Sequence, residues 1–219
     1  ASSYRRIGAR MLVSSTGNWV GGISGGCLEG DALKRSQLAI FKNTPSTVVY
    51  DTMEDDENQI GVGLGCNGRV EVLFTPIDPL DTENEIEQLR KVTAIEQPAV
   101  MLKIIQSNYS DLLGKSQIVN EGAIFKDFYG INTEQLRQHI VATQSAKKPQ
   151  IVEVFNEVGE QQNVLIEFIK PETRLVIVGD NYDVNALLGI ANELGWEIYL
   201  IGKAKKLSKF AYQIAKKVL

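Results

Sequence analysis

Two short apolar stretches, 9–14 and 18–23, flank the turn Ser15-Thr16-Gly17 and predict a pair of antiparallel strands. Farther on, Leu28, Ala32, Arg35 and Ala39 share a helical face, with Leu33 and Ile40 beside it, until Asn43 and Pro45 stop the helix. The alternating, β-branched run 69–74 reads as a strand. A helix carried by Ile86, Leu89, Val92 and Ile95 follows, ending before Pro98, and 99–105 returns as a strand. Residues 107–131 carry short apolar runs and scattered glycines that fit a hairpin. A helix capped by Asn132 then runs to about Thr143, with Gln135 at the capping-box position. Strands 151–155 and 164–169 flank the turn Glu157-Val158-Gly159-Glu160.

After Lys170-Pro171-Glu172-Thr173, which reads as a linker, the pattern changes. The apolar strand 174–178 ends in Gly179, a helix follows with Leu187, Ile190, Ala191 and Leu194 on one face, and 197–201 is the next strand. This is a βαβ unit that opens a doubly wound sheet, and a third short strand begins near Lys217. The expected fold class is therefore α/β. A mixed α/β domain over 1–170 precedes a truncated Rossmann-like domain over 171–219. The opening without methionine and the few strands after Arg174 lead to the expectation that segments are missing on both sides.

Composition narrows the function classes. The 219 residues are 43% apolar and 23% charged, as in ordinary globular proteins, and the net charge of -4 disfavours a nucleic-acid binder. The acidic group Asp51, Glu54, Asp55, Asp56 and Glu57, and the lysines at 203, 205, 206, 209, 216 and 217, read as solvated surface. No apolar stretch approaches the roughly 20 residues that span a bilayer, and no signal sequence opens the chain, so no membrane partner and a cytoplasmic address are expected. With only two cysteines, both thiols are expected to be reduced.

The chemistry concentrates where those two thiols lie. Cys27 sits in Ser24-Gly25-Gly26-Cys27-Leu28-Glu29-Gly30-Asp31, and Cys66 in Gly61-Val62-Gly63-Leu64-Gly65-Cys66-Asn67-Gly68. Gly25 and Gly26 permit a sharp turn before a helix whose N-terminal N–H groups and positive dipole end favour anions. A thiol at that point would have its pKa lowered, although Glu29 and Asp31 bring negative charge to the same turn. A tight strand-to-helix turn with an incidental cysteine has the same appearance. In the second loop the density of Gly63, Gly65 and Gly68 around Cys66 resembles a backbone nest for an anion, or a flexible hairpin connection. Arg5, Arg6 and Arg10 carry guanidinium forks suited to phosphate or carboxylate, as exposed hairpin arginines also do.

Other residues add less. His139 is the single histidine and reads as a packed or half-exposed helix residue, which argues against a multi-histidine zinc site. Trp19 and Trp196 read as strand or core residues. In the βαβ unit the sequence Gly179-Asp180-Asn181-Tyr182-Asp183-Val184 keeps only the first glycine of the dinucleotide fingerprint, and Gly202-Lys203 stands where a ribose-binding acid is expected. Both departures argue against tight NAD(P) binding at Gly179. A nicotinamide-dependent oxidoreductase is nevertheless the alternative reading, and a sulfur carrier holding a persulfide on Cys27 a third.

Four ordered blocks resemble the XdhC/CoxI family, the xanthine dehydrogenase accessory proteins. They are Ser2-Ser3-Tyr4-Arg5-Arg6-Ile7-Gly8-Ala9-Arg10-Met11, Gly22-Ile23-Ser24-Gly25-Gly26-Cys27-Leu28-Glu29-Gly30-Asp31, Tyr50-Asp51-Thr52 and Gly63-Leu64-Gly65-Cys66-Asn67-Gly68. The βαβ unit after Arg174 is similar to that family's C-terminal Rossmann domain. The resemblance implies a maturation factor without turnover of its own. Such a factor binds the molybdenum cofactor (molybdopterin) while its sulfur ligand is installed, and delivers it to a molybdenum hydroxylase such as xanthine or carbon monoxide dehydrogenase. The residues expected to hold the cofactor are Arg5, Arg6, Arg10, Ser24, Gly25, Gly26, Cys27, Gly63, Gly65, Cys66, Gly68 and Gly179. Cys27 first and Cys66 second would offer soft thiolates to the metal or its sulfur. A cysteine desulfurase is an expected partner on the same ground, and a homodimer is compatible with it.

Overall fold

The computed structural model describes residues 5–51, 68–95, 97–120, 127–131 and 133–219. It is mixed α/β and divides into two compact units: Ala1–Val92 with Pro98–Ile169, and Thr93–Gln97 with Lys170–Leu219.

The first unit begins with the hairpin β1 (Met11–Val13) and β2 (Trp19–Gly21), paired antiparallel with Met11 opposite Gly21. Gly17 closes its turn at φ +85°, where glycine has no steric penalty. Helix α1 (Glu29–Lys42) follows, burying Ala32 and Ala39 on the expected face, and ends at Asn43 in the left-handed conformation. Trp19 lies on a strand but is 53% exposed, so it is not a core residue. The segment after Pro45 forms β3 (Ser46–Asp51), a strand absent from the periodicity reading, which pairs antiparallel with β4 (Arg69–Phe74). Phe74 from β4 joins Ala32 and Ala39 in one small core.

Helix α2 (Glu85–Ile95) leads into a four-stranded antiparallel sheet, ordered β6 (Ser116–Asn120), β5 (Ala99–Gln106), β8 (Gln161–Ile169), β7 (Gln150–Phe155). Of the stretch 107–131, expected as a hairpin, the described part contributes β6, which pairs with β5. It folds back onto β5 around Gly114, whose φ of +85° and contact with Thr75 leave no room for a side chain. Residues 121–126 lie outside the described residues. Helix α3 (Thr133–Ala146) sets Leu136 and Ile140 against Val100, Leu102, Val164 and Ile166 of the central strands. Ala99–Leu102 of β5 and Val164–Ile166 of β8 therefore read as apolar runs, as strand segments buried on both faces do.

The second unit is a parallel sheet ordered β11 (Lys217–Val218), β10 (Glu197–Ile201), β9 (Arg174–Val178), with α4 (Asp183–Glu193) between β9 and β10 and α5 (Lys209–Ile214) after a 3-10 turn at Ala204–Lys206. Helix α4 buries Val184, Leu188 and Ala191 against Ile177, Ile198 and Leu200. Leu187, Ile190 and Leu194 are exposed, which corrects the face expected from the sequence; only Ala191 was placed on the right side. Both triplets satisfy helical spacing, and the strand side chains below decide which one is covered. The sheet is covered on one face only: Val176, Val178 and Ile201 alternate with the buried set and are exposed. Among the described residues no helix is long and apolar enough to cross a membrane.

Candidate functional site

The loop between β2 and α1 is ordered by its own side chains. Ile23 N–H and Ser24 N–H donate to Glu29 Oε1 at 3.1 and 2.8 Å, and the Ser24 hydroxyl donates to Glu29 Oε2. The Ser24 oxygen in turn accepts from Gly26 N–H at 3.2 Å and Leu28 N–H at 3.1 Å. This is a reciprocal cap, with an acid in the first helical turn reaching back while a serine reaches forward. Burial alone would raise the Glu29 pKa, but the bonds from Ser24 and the loop amides hold it below its ordinary value. Glu29 thus belongs to the loop's scaffold.

Gly26 adopts φ +113° with no atom within 4 Å of where a Cβ would be, so the backbone there is strained for any other residue and open to an approaching group. Next to it Cys27 is exposed. The Arg5 guanidinium comes within 3.8 Å of a Cβ position on Gly22, at the entrance of the same loop. Arg6 is exposed and its carbonyl accepts from Ala9 N–H in the turn before β1. One turn into α1, Asp31 accepts from the buried Tyr50 hydroxyl at 2.7 Å and from Arg35 at 2.5 Å. Burial and that bond push the Tyr50 pKa well up, while Tyr50 and Arg35 outweigh the burial of Asp31 and bring its pKa down. Asp31 therefore supports the helix start and does not face a ligand alone.

The Arg10 guanidinium is engaged within the fold. Its Nε donates to Glu85 Oε1 at 2.8 Å; Nη1 donates to Gly8 O at 2.9 Å and Glu167 Oε1 at 3.1 Å; Nη2 meets Glu167 Oε2 and lies 3.2 Å from Met101 Sδ. Every N–H of the guanidinium has a protein acceptor. Glu85 is also bonded to Lys103, and the Glu85, Glu167 and Lys103 side chains are 12%, 9% and 14% exposed. Burial would lower the Arg10 pKa, but the two glutamates keep it above its ordinary value. Burial would raise that of Glu85, but Lys103 and Arg10 bring it down.

Of the remaining expected residues, Gly68 lies just before β4, and Gly63, Gly65 and Cys66 lie outside the described residues. Gly179 is in the other unit, at the end of β9, with φ +157°. There Asp180 Oδ2 accepts from Lys203 N–H at 3.2 Å and its Oδ1 is 3.5 Å from Lys206 Nζ. Gly202 is closely approached by Gly179 O, 2.8 Å from its Cβ position, and by Asp180. The Asp180 carboxylate thus bridges from the turn after β9 to the chain after β10, at the end of the strands where a dinucleotide site carries its pyrophosphate. His139 Nδ1 is 3.3 Å from Gln150 Oε1, and Gln150 also binds His139 O and Thr143, which accounts for His139 as a structural residue. Gln135 bonds Phe155 N–H, across to β7. Among the described residues no group of His, Cys, Asp and Glu is arranged to hold a metal ion.

Sequence reasoning marked Glu29 as a first-turn acid but missed Glu85 and Glu167. Glu167 was detectable, because it is an acid inside the otherwise apolar run 164–169; Glu85 looks like any first-turn helix acid.

Known proteins resemble this arrangement. Residues 1–51, which contain the hairpin, the capped loop and α1, match the model of the XdhC and CoxI family. A Bacillus subtilis protein described as a probable component of xanthine dehydrogenase is 25% identical over 198 residues, covering 90% of this chain and 54% of that protein. A crystal structure described as a xanthine dehydrogenase from Bacillus halodurans matches with a TM-score of 0.73 and 25% identity, over 100% of this chain and 60% of that one. The class defined by the fold and these matches is a mixed α/β protein built like those relatives, of which this chain spans little more than half the length. The likeness to the XdhC and CoxI family lies in residues 1–51.

Proposed function

We propose that the protein is an accessory factor of a molybdenum hydroxylase of the xanthine dehydrogenase type, holding the molybdenum cofactor for delivery and sulfuration. The reading rests on one observation above others. The part of the chain that matches the XdhC and CoxI family model contains a pre-capped loop in which an open backbone position, Gly26, adjoins an exposed thiol, Cys27. Because Ser24 and Glu29 already satisfy the loop's amides, its shape does not depend on a ligand, and little ordering entropy would be lost on binding.

The donor set fits the cofactor in kind. Arg5, close to Gly22, supplies a guanidinium for a phosphate, Gly26 lets a flat group come near the backbone, and Cys27 offers a soft sulfur. When bound, the cofactor supplies a molybdenum centre whose terminal ligand can be exchanged for sulfur. The chain's own part is to bind, orient and shield. A molybdenum hydroxylase apoprotein is the partner this requires, and a cysteine desulfurase is the sulfur source.

The test is to purify the protein from cells making the cofactor, oxidise it, and measure released pterin by fluorescence. Wild type is expected to carry pterin, Cys27→Ala to carry clearly less, and Cys66→Ser to show whether the second thiol contributes. No pterin in wild type, or equal pterin in Cys27→Ala, would count against cofactor handling at this loop.

A further inference from the structure

We infer that Arg10 is a positioning residue: it locks the Gly22–Cys27 loop onto the four-stranded sheet through Glu167, Glu85 and Gly8, and does not itself grip a ligand. The inference concerns the loop assigned above to cofactor binding and rests on that reading only for what the loop holds.

The lock works through both halves of the residue. On the side-chain half, carboxylates from two elements, β8 and α2, converge on one planar fork, and Lys103 of β5 balances the charge of Glu85. Two cations and two anions then sum to zero in a cluster whose two carboxylates and lysine are largely buried, so removing one member leaves its partner short of charge compensation. Gly8 belongs to it because a Cβ there would run into the Glu167 carboxylate, and its φ of +90° suits glycine. On the main-chain half, Arg10 O accepts from Gly22 N–H at 2.9 Å, and a Cβ on Gly21 would collide with that same carbonyl. Directly after Gly22 come Ile23 and Ser24, whose amides bind Glu29, and Ser24 holds Gly26 and Leu28.

Hydrogen bonds joined by short covalent stretches, Arg10 itself and Gly22–Ser24, thus connect the sheet to the backbone on both sides of Cys27. An anionic ligand that used Arg10 as a clamp would first have to displace Glu167 or Glu85, leaving a carboxylate with little water around it. Lysine cannot replace this residue, since a single ammonium cannot serve two carboxylates and a carbonyl in the geometry of the fork.

The test uses the full chain without ligand. Alkylation of Cys27 by iodoacetamide, read by peptide mass spectrometry, and amide hydrogen exchange over 22–31 are compared for wild type, Arg10→Lys and Glu167→Gln. The expected result is a rise of about fivefold or more in both rates, with exchange in β5 and β8 changing much less. Unchanged loop rates in folded variants would overturn the inference. So would loss of the whole fold in both variants, because the cluster would then support the core and not the loop. Pterin loading of the same variants separates the two proposals. Faster Cys27 alkylation in Arg10→Lys, alongside a wild type that carries no pterin, keeps the lock and removes the cofactor reading. Lost pterin with unchanged alkylation makes Arg10 a ligand clamp and removes the lock.

Discussion

Two strand-to-helix turns in this chain start from the same idea and diverge. Both follow a short strand with glycine and enter a helix with an acid in its first turn: Gly22–Leu28 before α1, and Gly179–Tyr182 before α4. In the first, Glu29 and Ser24 turn inward to cap the loop's amides, leaving Gly26 open and Cys27 exposed. In the second, Asp180 spans to Lys203 and Lys206 just after β10, and Gly202 beyond that strand is closely approached by the Gly179 carbonyl. The same local grammar can therefore leave the backbone beside a turn open or bridge the turn with an acid. What decides is whether the nearby acid bonds the loop itself or reaches across the mouth of the turn.

The largest effect that would sharpen this contrast is expected where the first turn is tied to its sheet. Glu167→Ala should lower the urea-unfolding stability by about 2 kcal/mol, below the usual cost of breaking a buried pair because Arg10 keeps 37% of its side-chain surface in water. A loss under about 0.5 kcal/mol would show that the cluster is an ordinary surface pair. Within the loop, Ser24→Ala should cost about 1 kcal/mol through the cap, and Gly26→Ala about the same through its positive φ. Pterin loading should fall in Gly26→Ala by more than its stability loss explains, since the added methyl also occupies the open face.

An acid titration gives a smaller, signed effect. Glu85 has a pKa depressed below its ordinary 4.5, so its contribution is fully present above that value and is lost as the pH falls through its folded pKa. The slope of stability against pH below 4.5 should be shallower in Glu85→Gln than in wild type, whatever the variant's absolute stability. An equal slope would remove Glu85 from the acid limb. The smallest change is expected at the second turn. Asp180→Ala should alter stability by less than about 0.5 kcal/mol, and NADPH titration by fluorescence should stay silent in wild type. Binding that appears only in Asp180→Ala would show that the acid is what closes the turn.

Much of the fold was legible because it is local. The β1–β2 hairpin, α1, α2, β5 and the βαβ alternation follow from runs and spacings within a few residues of one another. What failed depended on partners. Strand β3 carries the β-branched run Thr47-Val48-Val49 before Tyr50, a strand signal passed over beside the helix stop at Pro45, and β4 is its pairing partner. Helix α4 offered two apolar faces of similar spacing, and the buried one was chosen by Ile177, Ile198 and Leu200 underneath. The candidate site shows the same division. Gly25, Gly26 and Cys27 stood out by composition, whereas the carboxylates that Arg10 meets could not be foreseen because they lie 75 and 157 residues away.

The sequence alone established an α/β chain with two segments of different character, a glycine-rich loop carrying an exposed-type thiol before a helix, and motifs that resemble one family. Those are properties of neighbours along the chain, where backbone freedom and helix periodicity act within a turn or two. Only the tertiary structure decided which charged groups are available. Arg10 is consumed by glutamates, Glu29 by the loop, and Asp180 by the end of β10. A charge seeks the partner that best repays its desolvation, and folding brings that partner from anywhere in the chain.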